Sequence, residues 1–163
     1  MSRHSLFNIG KTNFIIAVDY ATPLLQMHER VLTQVKWSGR VNLKKYTPPV
    51  ELGIKNFICR YATLREDSEL RYVQADAKAN SIILSDVMQF FAFGLKHIKK
   101  EVTQEKWTPI VAADPGSTWL CSHGCLGEMV GVEWDNFYHA PGPVLHTVSD
   151  SLPKGTRFLT ICK

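Results

Sequence analysis

The sequence has no apolar run long enough to cross a membrane as a helix. Its best candidate, residues 82–95, is interrupted by Ser85, Asp86 and Gln89, whereas a membrane span needs about 20 apolar residues. The first ten residues also lack an apolar core of signal-peptide length. We therefore expect a cytoplasmic protein that has no membrane partner.

Glycine and proline are too few for a repetitive or low-complexity chain, at 10 and 8 of 163 residues. No linker or internal repeat interrupts the chain, and 45% of its residues are hydrophobic. This composition is typical of globular proteins, and the length matches that of one domain. The sequence therefore predicts a single domain over residues 1–163.

Cysteine is scarce, and charge of one sign is not concentrated in any segment. With four cysteines and no secretion signal, we expect reduced thiols rather than a disulfide framework. The net charge of +4 comes from basic residues interspersed with acids, which is not typical of a polybasic tail. A protein that coats nucleic acid non-specifically usually has a denser basic stripe.

Hydrophobic spacing predicts two main helices. The first covers residues 23–36, with Pro23 at its first position, where the missing N–H would have had no partner. The second covers residues 85–100 and is capped by Ser85 or Asp86. Lysines near its end suit the negative end of the helix dipole.

Short β-branched and aromatic runs separated by Gly and Pro predict strands in residues 40–73 and 107–163. Residues 65–69 are predicted to form a hairpin turn, and residues 70–73 a further strand. These elements indicate an α+β fold, with two main helices packed on a mostly antiparallel sheet of seven or eight short strands.

The predicted core follows from the apolar positions of these elements. It comprises Phe14, Ile16, Leu25, Leu32, Phe57, Val87, Phe91, Leu95, Trp119 and Phe158. Phe90, Phe91 and Phe93 of the second helix are also expected in the core. Phe93 lies off the main apolar stripe, so it is the one of the three for which a partner interface is the alternative.

The densest group of chemically active side chains lies in the second half of the chain. Cys121, His123 and Cys125 alternate along one face of an extended strand. If this glycine-rich segment curled, the three would come within zinc-ligand distance, and His139 or His146 would complete four ligands. The alternative is that these are ordinary core and surface side chains, because Cys-x-His-x-Cys is not a common zinc signature.

The same group allows a cysteine nucleophile instead of a metal. Cys125 lies in a Gly-Cys-Leu-Gly turn, which would expose its sulfur and offer backbone N–H groups to an oxyanion. His139 or His146 would act as the base, with Asp135 or Asp150 orienting that base. The alternative is a cysteine packed in a tight turn.

Aromatic and basic side chains are interleaved in the first half of the chain. They are Trp37, Arg40, Lys44, Lys45 and Tyr46. The same sheet face would be extended by Arg60, Tyr61, Arg71 and Tyr72. Cations that bind phosphate and rings that stack on bases suit a single-stranded nucleic acid or a nucleotide. The alternative is a solvated sheet face.

No motif is complete, so two classes of function remain open. The first is a small intracellular enzyme with a Cys/His-rich pocket in residues 114–146, acting as a cysteine hydrolase or transferase or with zinc. The second is a non-enzymatic binding or inhibitor protein that uses residues 37–72. A small molecule, a single-stranded nucleic acid and a protein remain the candidate partners.

Overall fold

The computed structural model describes residues 5–37, 53–115, 118–120, 127–135, 142–149 and 151–162. The helices in these ranges are α1 (Leu24–Val31), α2 (Leu70–Ala79) and α3 (Val87–Glu101). The strands are β1 (Phe7–Ile9), β2 (Phe14–Asp19), β3 (Lys36–Trp37), β4 (Ile54–Leu64), β5 (Ser68–Glu69), β6 (Ile83–Leu84), β7 (Ile110–Val111), β8 (Thr118–Leu120), β9 (Gly127–Asp135), β10 (Gly142–Ser149), β11 (Ser151–Leu152) and β12 (Arg157–Ile161).

Ten of these strands form one curled sheet with the main order β1-β4-β12-β7-β9-β10-β3. Three further strands lie off this path: β2 pairs with β4, β6 with β12 and β8 with β9. Strands β5 and β11 form a separate small sheet. The β12–β7 and β10–β3 pairs are parallel. The sheet is therefore mixed, and the expected mostly antiparallel sheet is wrong.

Hydrophobic residues pack on both faces of the sheet, in two cores. Phe158 and Leu159 are neighbours on β12, yet they belong to different cores, because successive side chains of a strand point to opposite faces. Buried residues of α1 and α3 lie in the first core with Leu159. Those of α2 lie in the second core with Phe158. The two faces of β12 therefore contribute to cores that contain different helices.

The start of α3 is as predicted. The Asp86 side chain accepts a hydrogen bond from the Gln89 backbone N–H at 2.7 Å, and the Gln89 side chain accepts one from the Asp86 backbone N–H at 2.9 Å. This reciprocal capping box supplies partners for backbone groups that a helix end otherwise lacks. By contrast, α1 ends at Val31, five residues before the predicted end, and Pro23 is its N-cap.

Helix α2 replaces the strand expected at residues 70–73. Its buried residues, Leu70, Val73 and Ala77, are three and four positions apart, which is helical spacing. A hairpin turn after β4 is present only in part, because residues 68–69 pair with β11 and then lead directly into the helix. The helical spacing extends to Ala77, so it is not apparent when residues 70–73 are considered alone.

Of the ten predicted core residues, five are buried, three are partly buried and one is exposed. Phe14, Ile16, Val87, Phe91 and Phe158 are buried as expected, and Leu32, Phe57 and Leu95 pack partly buried against the first core. Leu25 is 62% exposed, so its prediction is wrong. The buried face of α1 is instead formed by Met27, His28 and Val31. The Trp119 side chain lies outside the described part of the structure.

Gly131 is required where β9 lies between β7 and β10. A Cβ there would lie 2.5 Å from Val148 Cγ2, 2.8 Å from Val111 Cγ1 and 3.2 Å from the backbone oxygen of Ile110. We expect Gly131→Ala to lower the free energy of unfolding by about 1–3 kcal/mol through overpacking. The control is Gly142→Ala on β10, where a Cβ meets no atom within 4 Å. Equal urea midpoints for the two variants would contradict this prediction.

Candidate functional site: a polar cavity at Arg157

Most of the residues proposed from the sequence as site residues lie outside the described part of the chain. These are Arg40, Lys44, Lys45, Tyr46, Cys121, His123, Cys125 and His139. Trp37 lies on β3 and His146 on β10, where the backbone alone is described. Asp135 is the last residue of β9 and is partly buried. The zinc and nucleophile interpretations therefore stay predictions.

The β9–β10 hairpin sets distances for those predictions. Gly127 and Asp135 are the two ends of β9, about 27 Å apart at the usual rise of an antiparallel strand. The segment with Cys125 joins β9 at Gly127, and the segment with His139 leaves it at Asp135. For Cys125 and His139 to share one site, the two segments would together have to span most of these roughly 27 Å.

The register of the same hairpin separates Asp135 from His146. Asp135 pairs with Gly142, and His146 pairs with Gly131. Four register positions amount to about 14 Å, which a single hydrogen bond does not span. Within the described residues, no group of three or more His, Cys, Asp and Glu is placed to hold a metal ion.

The expected extension of the basic and aromatic face is wrong. Tyr61 packs against the first core, so its neighbour Arg60 projects from the opposite face of β4. Arg71 and Tyr72 lie on α2 rather than on the sheet. The Arg71 guanidinium is 4.7 Å from the centre of the Tyr72 ring, which is a local contact between neighbours on a helix.

The structure instead brings titratable side chains together around a cavity of about 330 Å³. Its walls come from the β1–β2 turn, from β4, from the end of α3 with the following loop, and from β12. The lining residues are Gly10, Thr12, Phe14, Tyr61, Glu101, Lys106 and Arg157. This volume is at the lower end of the range for small-molecule sites.

Arg157 is the centre of this polar cavity. The residue is only 8% exposed, and its Nη1 donates to the Glu101 carbonyl at 2.6 Å. Its Nη2 donates to the carbonyls of Lys106 at 3.1 Å and Thr108 at 2.7 Å. Within the described residues, its buried Nε–H has no acceptor. Burial lowers the pKa of Arg157, but a guanidinium remains charged in proteins.

The carboxylate of Glu101 lies between two donors. The Tyr61 hydroxyl donates to its Oε1 at 2.8 Å, and Lys106 Nζ donates to its Oε2 at 3.2 Å. The Lys106 side chain is 55% exposed, whereas that of Glu101 is 13% exposed. Burial, followed by the charge of Glu101, raises the pKa of Tyr61, so this phenol is a hydrogen-bond donor at neutral pH. The Arg157 guanidinium lies 5.4 Å from the centre of the Tyr61 ring.

Aromatic rings form the apolar side of the cavity. The rings of Phe14 and Tyr61 have their centres 5.1 Å apart, and both pack against Phe93 of α3. His97, one turn further along α3, packs 5.1 Å from Phe14. The polar cavity is thus held between rigid elements of the sheet and the longest described helix.

Two histidines, buried His28 and half-buried His97, predict a pH-dependent stability. Burial lowers the pKa of His28 from 6.5, against an opposing effect of Glu29, and burial likewise lowers that of His97. The unfolded chain therefore binds more protons below 6.5, so stability is lost as the pH falls through that value. We expect urea unfolding to show a loss between about pH 7.5 and 5.5. The loss should shrink in His28→Met, and an unchanged loss would contradict the assignment.

Cys59 does not share the reactivity expected of the predicted nucleophile. It is fully buried in the first core. Burial, and then the charge of Cys162, raises the pKa of the Cys59 thiol to about 12. Since the thiolate is the reactive form, Cys59 is inert near neutral pH.

A larger groove of about 980 Å³ lies beside α2 and is lined by Glu66, Asp67, Glu69 and Asp76 among others. Three of these carboxylates already have partners. Asp76 accepts from the Ser5 hydroxyl and the Leu6 N–H, Asp67 accepts from the Lys154 N–H, and Glu69 pairs with Arg71. These contacts within the protein explain why three of the four acidic side chains are there, so the groove does not need a ligand to account for them.

The sequence did not point to the polar cavity. Arg157 stands at the start of an apolar run, and Glu101 and Lys106 follow a lysine-rich helix end. None of these residues belongs to a recognisable motif. Tyr61 and Arg157 are far apart along the chain, so the sequence does not show that they are neighbours in space. A charged residue opening an otherwise apolar strand was the one available signal.

Comparison with known proteins gave no match: no family model, no curated protein and no solved structure matches this chain. No helix among the described residues is long and apolar enough to span a membrane.

Proposed function

We propose that this protein binds a small anion in the polar cavity. The observation that carries the proposal is Arg157. This residue is only 8% exposed, and the hydrogen bonds of its guanidinium go to backbone carbonyls. A buried cation is costly unless it is compensated. Its Nε–H leaves donor capacity beyond those carbonyls.

The charges around the polar cavity favour an anion over a cation. Arg157 and Lys106 are positive, and Glu101 is the one carboxylate among the lining residues. Exposed Lys11 lies between the lining residues Gly10 and Thr12, so it adds positive charge at the rim. Because Lys106 is half exposed, it can turn from Glu101 towards a ligand with little desolvation.

The test is a titration of the purified protein with acetate, inorganic phosphate and benzoate, followed by amide NMR. The anions are compared at one ionic strength, because exposed charges are screened by salt. We expect shifts centred on the amides of Gly10, Thr12 and Lys106. Lys106→Met should weaken the binding by about tenfold, the usual effect of a lost charge-assisted hydrogen bond.

The matched control is Lys78→Met on α2. Lys78 is exposed and lies on the helix that packs into the other core. This variant should retain the response of the native protein. Binding that is equal in both variants, or no shift at these amides with any of the three anions, would contradict the proposed function.

A second candidate function is thiol-dependent catalysis by Cys125 with His146 as the base. Its support is the β-register: His146 pairs with Gly131, four positions or about 14 Å from Gly127, which is half the distance from Gly127 to Asp135. The test is alkylation by iodoacetamide at about pH 6–7, where an ordinary thiol reacts slowly. Loss of fast labelling in Cys125→Ser, but not in Cys162→Ser, would support it. Slow labelling of the native protein would exclude it.

A further inference from the structure

The geometry points to a monocarboxylate with an apolar body as the ligand of the polar cavity. This inference rests on the proposed function and narrows it from small anions to one chemical class. It follows from the apolar walls, from the charge balance and from the donors that the described residues provide.

The walls require an apolar body. Phe14 and Tyr61 face the cavity from neighbouring strands, and their rings stand at an interplanar angle of 53°. A fully hydrated inorganic anion gains nothing from such surfaces, whereas an apolar ring or chain is removed from water there. Small-molecule sites usually combine apolar walls with a few polar groups in this way.

The charge balance favours a single negative charge. Within the lining, two cations stand against one carboxylate, and the charge of exposed Lys11 at the rim is screened by solvent, so the enclosed part of the site carries one excess positive charge. A monocarboxylate neutralises that excess. A phosphate dianion would leave a net negative charge close to Glu101, whose side chain is 13% exposed and therefore poorly screened.

The donors also suit two oxygens better than four. The Tyr61 hydroxyl already donates to Glu101, and two nitrogens of Arg157 already donate to carbonyls. One proton of the Lys106 ammonium is taken by Glu101, so two remain, together with the Arg157 Nε–H and the hydroxyl of the lining residue Thr12. These four donors match the acceptor positions of one carboxylate but not the larger acceptor set of phosphate.

The experiment compares benzoate with three probes, each of which removes one feature. Benzamide has the ring without the charge, acetate has the carboxylate without the ring, and inorganic phosphate has a higher charge without a ring. Affinities come from amide NMR titrations of the native chain, Lys106→Met and Lys78→Met. We expect benzoate to bind about tenfold more tightly than each probe, the scale set by one charge-assisted hydrogen bond or one buried ring. The preference over benzamide should be lost in Lys106→Met and kept in Lys78→Met.

The outcomes separate this inference from the proposed function. If phosphate bound as tightly as benzoate, with dependence on Lys106, the anion site would stand but the single carboxylate would be overturned. If acetate did so, the apolar body would be overturned. Equal binding of benzamide and benzoate would overturn it as well, because the charge would then not be recognised. If no anion shifts the cavity amides, the proposed function fails together with the inference.

Discussion

Replacing Arg157 by Met is expected to lower the free energy of unfolding by about 3–5 kcal/mol, because three carbonyl acceptors lose their donor at about 1–3 kcal/mol each. The guanidinium provides hydrogen bonds to the carbonyls of Glu101, Lys106 and Thr108. Methionine fills similar space but donates nothing, so these acceptors lose charge-assisted bonds worth more than neutral ones.

The matched control is Arg71→Met, where the same atoms are changed at a side chain that is 70% exposed. Its ion pair with Glu69 lies at the surface, and such pairs contribute about 0–1 kcal/mol. Urea unfolding of the two variants gives the comparison directly. Equal losses would show that Arg157 does not hold the loop after α3 to β12.

Arg157→Lys adds a finer test of geometry. A lysine keeps the charge but offers one compact ammonium in place of a planar fork. It cannot serve carbonyls from residues 101, 106 and 108 in the directions that the guanidinium does. We expect a stability between those of the native protein and Arg157→Met, whereas full retention would mean that charge alone matters at this position.

Local signals in the sequence were reliable where the structure depends on neighbouring residues. The capping box at Asp86 and Gln89 involves groups three positions apart, and the start of α3 was therefore predictable. The β-branched run that became β12 was equally clear. In these cases the residues that decide the conformation are visible within one short window.

The misses have a common cause in long-range packing. Leu25 has the apolar side chain of a core residue, but the face of α1 that meets the protein is decided by what packs on it, and that face contains Met27 and His28. The polar cavity is the same problem on a larger scale. Tyr61, Glu101 and Arg157 meet only because β4 pairs with β12 and α3 ends beside them.

Phe93 shows how an amphipathic interpretation of a helix fails when the helix is covered on most sides. The sequence placed Phe93 with the core aromatics of this helix but off its main apolar stripe, and so left a partner interface as the alternative. In the structure it is fully buried, and every residue of α3 from Val87 to Gly94 is buried. A helix enclosed in this way has no solvent-exposed face over that stretch. Whether a residue lies on or off the apolar stripe therefore does not predict its exposure.

We therefore expect Phe93→Ala to lower the free energy of unfolding by about 3–5 kcal/mol. Its ring lies 5.3 Å from that of Phe14, 5.9 Å from Tyr61 and 5.1 Å from His97, measured between centres. The truncation leaves a cavity behind the aromatic wall of the anion site, so ligand affinity should fall together with stability. Phe93→Leu should recover much of both, because it restores most of the lost volume.

The control is Trp107→Ala, which removes a larger aromatic side chain at a position that is 58% exposed. It should cost far less, since little of its surface is taken out of water on folding. Urea unfolding measures all three variants. If Phe93→Ala were as stable as Trp107→Ala, Phe93 would have to lie in solvent, and the packing of α3 against β2 would be wrong.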